Sequence, residues 1–276
     1  MKFKLANNFK RIPAYLLVGI WIIIALTPLV WMVSTSFKGE TSLMSTPPKL
    51  IPDPFSLDNY QKLFEQPVFL WVYNSVFVAT IITLEVVIVS SMAGYAFAKL
   101  QFPGKNFMFW LLISTMMIPG QVTLAPLYEL VMNFGFLDSF KALIFPPMAA
   151  VWGTFLLKQF IQTLPSELID SGRVDGASEW QIFSRIILPV AKPGLAVLGI
   201  FTFVAHWNDF MWPLVVLKDQ SRYTIQLGLS AFRFEHTTAY GPMMAGATLA
   251  ALPMVIIFLL LQRYFMEGLT VGALKG

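Results

Sequence analysis

The sequence predicts an all-α membrane protein with six transmembrane helices. Three observations carry that prediction. Hydrophobic residues make up 57% of the 276 and charged residues only 12%, against about 25% charged in a typical soluble domain. The apolar residues gather in runs long enough to cross about 30 Å of hydrocarbon at roughly 1.5 Å per helical residue. The Lys and Arg residues favour alternate connections between those runs, which is the pattern that orients membrane helices.

Composition also excludes several classes. The net charge of +4 and pI near 9.2 would suit a nucleic-acid binder, but the surplus cations flank apolar runs and form no basic stripe. Cys is absent, which removes disulfides and thiolate metal sites. His206 and His236 are too few for a His-based metal cage. The apolar run Ala14–Ser36 exceeds the about 7–15 residues of a signal-peptide core, so it reads as an uncleaved first span.

The elements run in order along the chain. Residues 1–13 carry Lys2, Lys4, Lys10 and Arg11 without an acid, which places this segment in the cytoplasm. Residues 14–66 hold span 1 and an outer loop, partly extended, with Pro47, Pro48, Pro52 and Pro54. The transmembrane core covers residues 67–265. Span 2 is about Phe69–Ala98, and the Pro103-Gly104 turn makes a cytoplasmic hairpin. Span 3 is about Phe107–Leu127, interrupted by Pro119-Gly120 and Pro126. Span 4 is about Ala142–Phe160 and includes Pro146-Pro147. A polar stretch, 164–189, precedes span 5 at about Val190–Leu217. Residues 218–241 form an outer loop, span 6 is about Pro242–Phe265, and 266–276 is a cytoplasmic tail. Under this topology twelve of the 19 Lys and Arg lie inside.

The motifs of catalysis are missing. There is no GxxxxGK[ST], and Gly268 to Gly272 follows no strand, so it is no phosphate cradle. HExxH and GxSxG are also absent. The chain has no visible means of hydrolysing ATP and no converging catalytic set, which disfavours a membrane-embedded enzyme. Within the spans, Glu85 and Asp209 are carboxylates that cost about 2.5–3.5 kcal/mol each at bilayer centre. Each therefore faces a cavity or a partner, or makes a structural hydrogen bond. Asn74, Gln121, Tyr128 and Asn208 are further polar candidates for a path.

The stretch LPSELIDSGRVDGASEWQIFSRIILP, Leu164 to Pro189, is a polar island between apolar runs. Its backbone and charges need water, so it lies at a surface. Ser166 is placed to cap a helix Glu167–Val174. Gly176 after Asp175 can take φ > 0 and turn the chain. Ser178 with Gln181 three residues on spells a capping box for a second helix. Trp180, Phe183, Ile186 and Ile187 fall on one face of it, and Pro189 closes it. Ser171 and Gly172 are small enough for another surface to approach. Spacing alone leaves two readings, an amphipathic linker on lipid headgroups or a docking surface.

The island resembles the EAA loop of ATP-binding-cassette importer permeases. Asp175-Gly176-Ala177, Phe183, Ile186 and Leu188-Pro189 fit its pattern, while Asp170-Ser171-Gly172 stands where the pattern has E-A-A, which weakens the first helix. Trp207-Asn208-Asp209-Phe210 through Pro213-Leu214 is similar to the W-N-x-F…P-L stretch of carbohydrate-type permeases. Gln262-Arg263-Tyr264-Phe265 with Gly268 to Gly276 is similar to the tail of the maltose-type second permease. The resemblance implies a six-helix permease in the bacterial cytoplasmic (inner) membrane, both termini cytoplasmic. It implies a homologous second permease, two copies of a cytoplasmic ATPase that carry the ATP and Mg, and an extracytoplasmic solute-binding protein that delivers a carbohydrate. No cofactor is then expected in this chain. The loop, with Glu167 among its contacts, sits in a cleft of the ATPase and couples its closure to alternating access. Two rivals stand beside this reading: an ion-coupled secondary transporter using Glu85 and Asp209, and an importer of the same class for another solute, such as an amino acid.

Overall fold

The computed structural model describes residues 12–39, 46–234 and 239–273. Lys2, Lys4, Lys10, Arg11, His236 and the last three residues of the tail lie outside the described residues. Among the described residues the regular structure is all helical, apart from one isolated β-bridge between Lys38 and Phe55.

The helices are α1 (Ile12–Ser36), α2 (Asp58–Phe64), α3 (Val68–Lys99), α4 (Lys105–Ser114), α5 (Leu124–Asn133), α6 (Phe140–Ile144) and α7 (Val151–Gln162). They continue with α8 (Glu167–Val174) and α9 (Glu179–Val190). The last four are α10 (Lys192–Trp207), α11 (Met211–Val216), α12 (Ile225–Phe234) and α13 (Tyr240–Ala273). Among the described residues, Pro13–Ser36, Val68–Lys99 and Tyr240–Leu260 are long and apolar enough to cross a membrane. Two bent pairs, Phe140–Met148 with Val151–Gln162 at 40° and Glu179–Val190 with Lys192–Trp207 at 76°, bring the number to five if each is one span.

The expected third span is divided. After α4 and a 3₁₀ turn Thr115–Met117, Ile118 becomes extended and helix resumes only at Leu124. Pro119 explains the break, because it has no N–H to donate and disfavours helix at the residue before it. Pro126 does not interrupt. It falls in the first turn of α5, where the N–H has no helical partner to lose. The expected fifth span likewise breaks between α10 and α11, at Asn208–Phe210.

Two expected loops contain helices. α2 lies in the outer loop 37–66, and α12 lies in 218–241. α13 also runs to Ala273, past the expected end of span 6 at Phe265.

The chain forms two compact units. In the first, residues 1–68 with 229–252, α1 exposes nearly all its apolar side chains, including Leu16, Trp21 and Ile23. A helix that is apolar all round is normally buried in lipid or protein. The turn after α1 is held by Asn59, whose Nδ2 donates to the Ser36 and Lys38 carbonyls at 3.0 and 2.8 Å. Phe37 stacks on Phe55 at 5.1 Å.

The second unit, residues 69–228 with 253–276, is built on α3, about 48 Å long at roughly 1.5 Å per residue. Its core joins Val78, Ile82 and Val86 of α3 to Leu157 and Ile161 of α7, Ile169 of α8, Ile182 and Ile187 of α9, and Leu198 of α10. α3 and α7 touch through small residues. A Cβ on Gly94 would lie 2.9 Å from the Leu157 Cβ, and one on Gly153 would lie 2.5 Å from the Ser90 Oγ. Such small-residue seams let membrane helices gain dispersion contacts that lipid cannot displace cheaply.

The segment after α11 is clamped to α3. Asn74, 2% exposed, donates through Nδ2 to the carbonyls of Ser221 and Tyr223 at 2.9 and 3.0 Å. The Ser75 Oγ accepts the Ile225 N–H at 2.7 Å, and the Trp71 indole N–H reaches the Gln220 carbonyl at 3.0 Å. Asp138, at φ 54°, accepts the backbone N–H groups of Lys218 and Asp219 at 2.9 and 3.0 Å and pairs with Arg222 at 2.6 Å.

Candidate functional site

Two features of the second unit gather polar chemistry: the α8–α9 loop and a cavity beside the α10–α11 break.

The loop is a helix–Gly–helix element. α8 ends in a Schellman arrangement, with the Ala177 N–H on the Gly172 carbonyl at 2.9 Å and the Gly176 N–H on the Arg173 carbonyl at 3.1 Å. That geometry puts Gly176 at φ 76°, which a side chain would oppose by about 1–2 kcal/mol. α9 opens with the expected capping box. Ser178 N–H donates to the Gln181 Oε1 at 2.8 Å, and the Gln181 N–H donates to the Ser178 Oγ at 3.3 Å. Ser166 does not cap α8 through its side chain; it is itself helical, and its carbonyl accepts the Ile169 and Asp170 N–H groups.

The buried face of α9 differs from the expected one. Ile182, Phe183 and Ile187 are buried, whereas Trp180 is 62% exposed. Residues Ile182–Ile187 form a π-helical turn. The wider turn, i→i+5, advances the register by one residue, so a 3.6-residue wheel drawn through Trp180 misplaces the residues beyond it. Gly172 is the contact point between the two helices: a Cβ there would lie 2.9 Å from the Ile186 Cδ1 and 3.1 Å from the Ile182 Cγ1. The small residue thus admits the second helix of the same loop.

Polar contacts fasten the loop to α3. The Tyr95 hydroxyl donates to the Glu179 Oε2 at 2.7 Å, and the Arg173 guanidinium reaches the Glu179 Oε1 at 2.8 Å. The Lys99 ammonium donates to the Leu164 carbonyl at 2.6 Å. The Tyr95 hydrogen bond is the main influence holding the Glu179 carboxyl below the usual carboxylate range; burial opposes it, and Arg173 adds to it. The Arg173–Asp170 pair at 3.7 Å is half exposed and contributes little.

The residues singled out in sequence divide by location. Glu167, Asp170, Ser171, Asp175 and Gly176 are exposed, as is Pro189. Gly172 and Phe183 are buried, while Ala177, Ile186 and Leu188 pack against the core. Val174 and Trp180 complete the outer rim at 87% and 62% exposure. Both apolar side chains stand bare to solvent in an otherwise polar segment. Val174 was not singled out, although its place beside Asp175-Gly176 at the helix end was the available signal.

The cavity, of about 250 Å³, is lined by Val78 and Ile82 of α3, by Pro146 and Pro147, and by His206, Asp209 and Thr224 among others. The Asp209 Oδ1 accepts the Trp212 N–H at 3.4 Å, and the Trp212 indole N–H fixes α11 to the Ala142 carbonyl at 2.9 Å. The Thr224 hydroxyl is buried without a hydrogen-bond partner. A mostly apolar lining with a few convergent polar groups is the ordinary make-up of a small-molecule site. Of the path candidates, Asp209 lines this cavity and Asn208 adjoins it, with its Oδ1 accepting from Gln226 at 3.4 Å. Asn74 is occupied by two backbone carbonyls. Gln121 is exposed in the turn before α5, and Tyr128 is half-buried against the core. Glu85 stands away from the cavity, with its Oε2 buried and unpartnered. His206 and Thr224 enter the site unannounced; only the position of His206 three residues before Asp209 hinted at it.

Known proteins share both this sequence pattern and this fold. The family described as binding-protein-dependent transport system inner membrane component matches residues 86–271. The chain is 37% identical over 257 residues to the arabinooligosaccharides transport system permease protein AraQ of Halalkalibacterium halodurans, with 92% of each chain covered. It is 34% identical over 263 residues to the sn-glycerol-3-phosphate transport system permease protein UgpE of Salmonella typhimurium, covering 92% of this chain and 93% of that one. Its fold is similar to that of a bacterial ABC transporter involved in the import of the acidic polysaccharide alginate, with a TM-score of 0.82 at 19% identity over 94% of this chain and 98% of that chain.

Proposed function

The chain belongs to the binding-protein-dependent transport system inner membrane components, and from that premise we propose that it forms half of the path of an ATP-driven importer of an oligosaccharide. The observation that carries the proposal is the α8–α9 loop: an exposed rim with Val174 and Trp180, rigidly fastened to α3 through Tyr95 and Lys99. A surface that docks an ATPase has to be exposed on one side and stiffly connected on the other, so that closure of the partner biases a two-state helical assembly.

In this reading the transmembrane core, 67–265, holds spans 2 to 6, with the divided helices α4 and α5 counted as one span. Residues 14–66 supply span 1 and its outer loop, and 1–13 and 266–276 face the cytoplasm. The partners are a homologous second permease, two copies of a cytoplasmic ATPase that hold the ATP and Mg, and an extracytoplasmic solute-binding protein. Glu167, Asp170, Ser171 and Asp175 are the polar docking contacts. Gly172, Ala177, Phe183, Ile186, Leu188 and Pro189 hold the loop's shape. Asp209 and Asn208 belong to the path. The arabinooligosaccharide relatives favour a neutral sugar. An ion-coupled use of Glu85 and Asp209 gains no support from a family whose transport depends on a binding protein.

The test is uptake and ATP hydrolysis by the assembled transporter in vesicles. Gly176→Val places a β-branched residue at φ 76°, while Gly176→Asn tolerates that region. The expected result is hydrolysis without uptake for the valine variant and near-normal uptake for the asparagine variant, each in an intact complex. Normal uptake by Gly176→Val overturns the lever. Uptake driven by a proton or sodium gradient without ATP overturns the importer.

A further inference from the structure

A second pocket, of about 160 Å³, lies where the ends of α3, α4 and α7 meet. It is lined by Lys105 and Asn106 of α4, Lys158 and Gln162 of α7, and the rings of Phe97 and Phe109. The volume equals about five waters at roughly 30 Å³ each, enough for a phosphate group with some hydration. The lining holds two ammonium groups, two amides and no carboxylate. Neither Lys105 nor Lys158 has an acidic partner among the described residues. The Lys105 Nζ donates to the Leu100 carbonyl at 2.6 Å, and the Lys158 Nζ lies 4.3 Å from the Phe109 ring centroid. Those contacts orient both cations without neutralising either.

Converging like charges without a counter-charge are costly in the apo protein, and an anion relieves that cost. The neighbouring face of α4 states which anion. Phe107, Trp110 and Leu111, at i, i+3 and i+4, form an apolar face that is 73%, 68% and 58% exposed, and Trp110, one turn on from Asn106 of the lining, is where that face comes nearest the pocket. We propose that the Lys105–Lys158 pocket binds the phosphate of an anionic phospholipid, whose acyl chains lie along the Phe107–Leu111 face. Basic pockets between transmembrane helices take lipid headgroups in this way. The lipid ties α4 to α7 at the membrane surface, next to the α3 end that anchors the coupling loop. The orientation proposed above puts the pocket at the inner leaflet, and the binding test reads the pocket whichever leaflet it faces.

The experiment is native mass spectrometry of the assembled transporter titrated with phosphatidylglycerol, and with phosphatidylcholine as the neutral control. Lys105→Gln with Lys158→Gln should weaken phosphatidylglycerol binding about thirty-fold, from about fivefold for each Lys near an anionic lipid. Lys105→Arg with Lys158→Arg should retain it, which separates lost charge from lost folding. Lys192→Gln, an exposed cation at the start of α10, should leave it unchanged. Equal binding by wild type and the double Gln variant overturns the proposal, as does an equal loss in Lys192→Gln. Displacement of the lipid by millimolar inorganic phosphate overturns the lipid as the source of the anion.

Discussion

Replacing Tyr95 by Phe removes one hydroxyl and leaves the ring in place. The hydroxyl donates to a carboxylate at 2.7 Å, and hydrogen bonds to charged groups contribute about 1.5–3 kcal/mol. Two facts select the lower end. The Glu179 side chain is 47% exposed and keeps Arg173 on its other oxygen, so its freed Oε2 can hydrate. The ring contact with Phe183, at 5.4 Å between centroids, survives. The expected loss is about 1.5 kcal/mol, or roughly tenfold in the equilibrium for local opening. Hydrogen exchange of peptides spanning α9 should therefore accelerate about tenfold in Tyr95→Phe, and sugar moved per ATP should fall. Glu179→Gln should have a similar effect, and the double variant should be non-additive by at least about 0.5 kcal/mol, since the two groups share one interaction. Unchanged exchange, or additive effects, would refute the account of the loop as fastened to α3 through this pair.

Other expectations rest on the same geometry. Asn74→Ala leaves two backbone carbonyls without their donor, at about 1–3 kcal/mol for each buried unsatisfied group; detergent-solubilised complex should melt several degrees lower, and a normal melting temperature with altered sugar selectivity would mark Asn74 as path-lining instead. Asp138 is held below the usual carboxylate range by the Asp219 and Lys218 N–H groups first and by Arg222 after them. A depressed folded pKa gives stability that is present above the unfolded value of about 3.9 and is lost as pH falls through the folded one. The protection factor across 218–223, with the intrinsic pH dependence of exchange divided out, should accordingly be flat from neutral pH down to about 5 and fall only below about 4; Asp138→Ala should lower it at neutral pH.

Local chemistry made the loop legible. The bounds Glu167–Val174, the turn at Gly176 and the Ser178–Gln181 box all depend on residues within a few positions of one another, and those rules act before tertiary packing intervenes. The long apolar helices were legible for a similar reason, since length and composition suffice. The misplacements came from long-range packing. The π-helical turn in α9 exists because Ile182 and Ile187 both reach the core, and no periodicity announces it. α12 hid in an outer loop because its N-terminus is fixed by Ser75 and the segment before it by Asn74, some 150 residues upstream. Asn74 itself looked like a path residue because polarity inside a span does not say whether its partner is a solute or a backbone. The cavity divides in the same way. Asp209 could be singled out by its charge, while the contribution of Thr224 depends on how the chain returns to α3.

The 76° angle between α9 and α10 makes the pair a bell-crank pivoting at Ala191, which is fully buried. Its short arm, α9, is about 18 Å long and its long arm, α10, about 24 Å, at roughly 1.5 Å per residue. A swing of about 10° at the pivot, with both arms stiff, carries the far end of α10 about 4 Å. Asn208 and Asp209 stand at that far end, so a small tilt imposed on the short arm is delivered, enlarged, to the wall of the cavity.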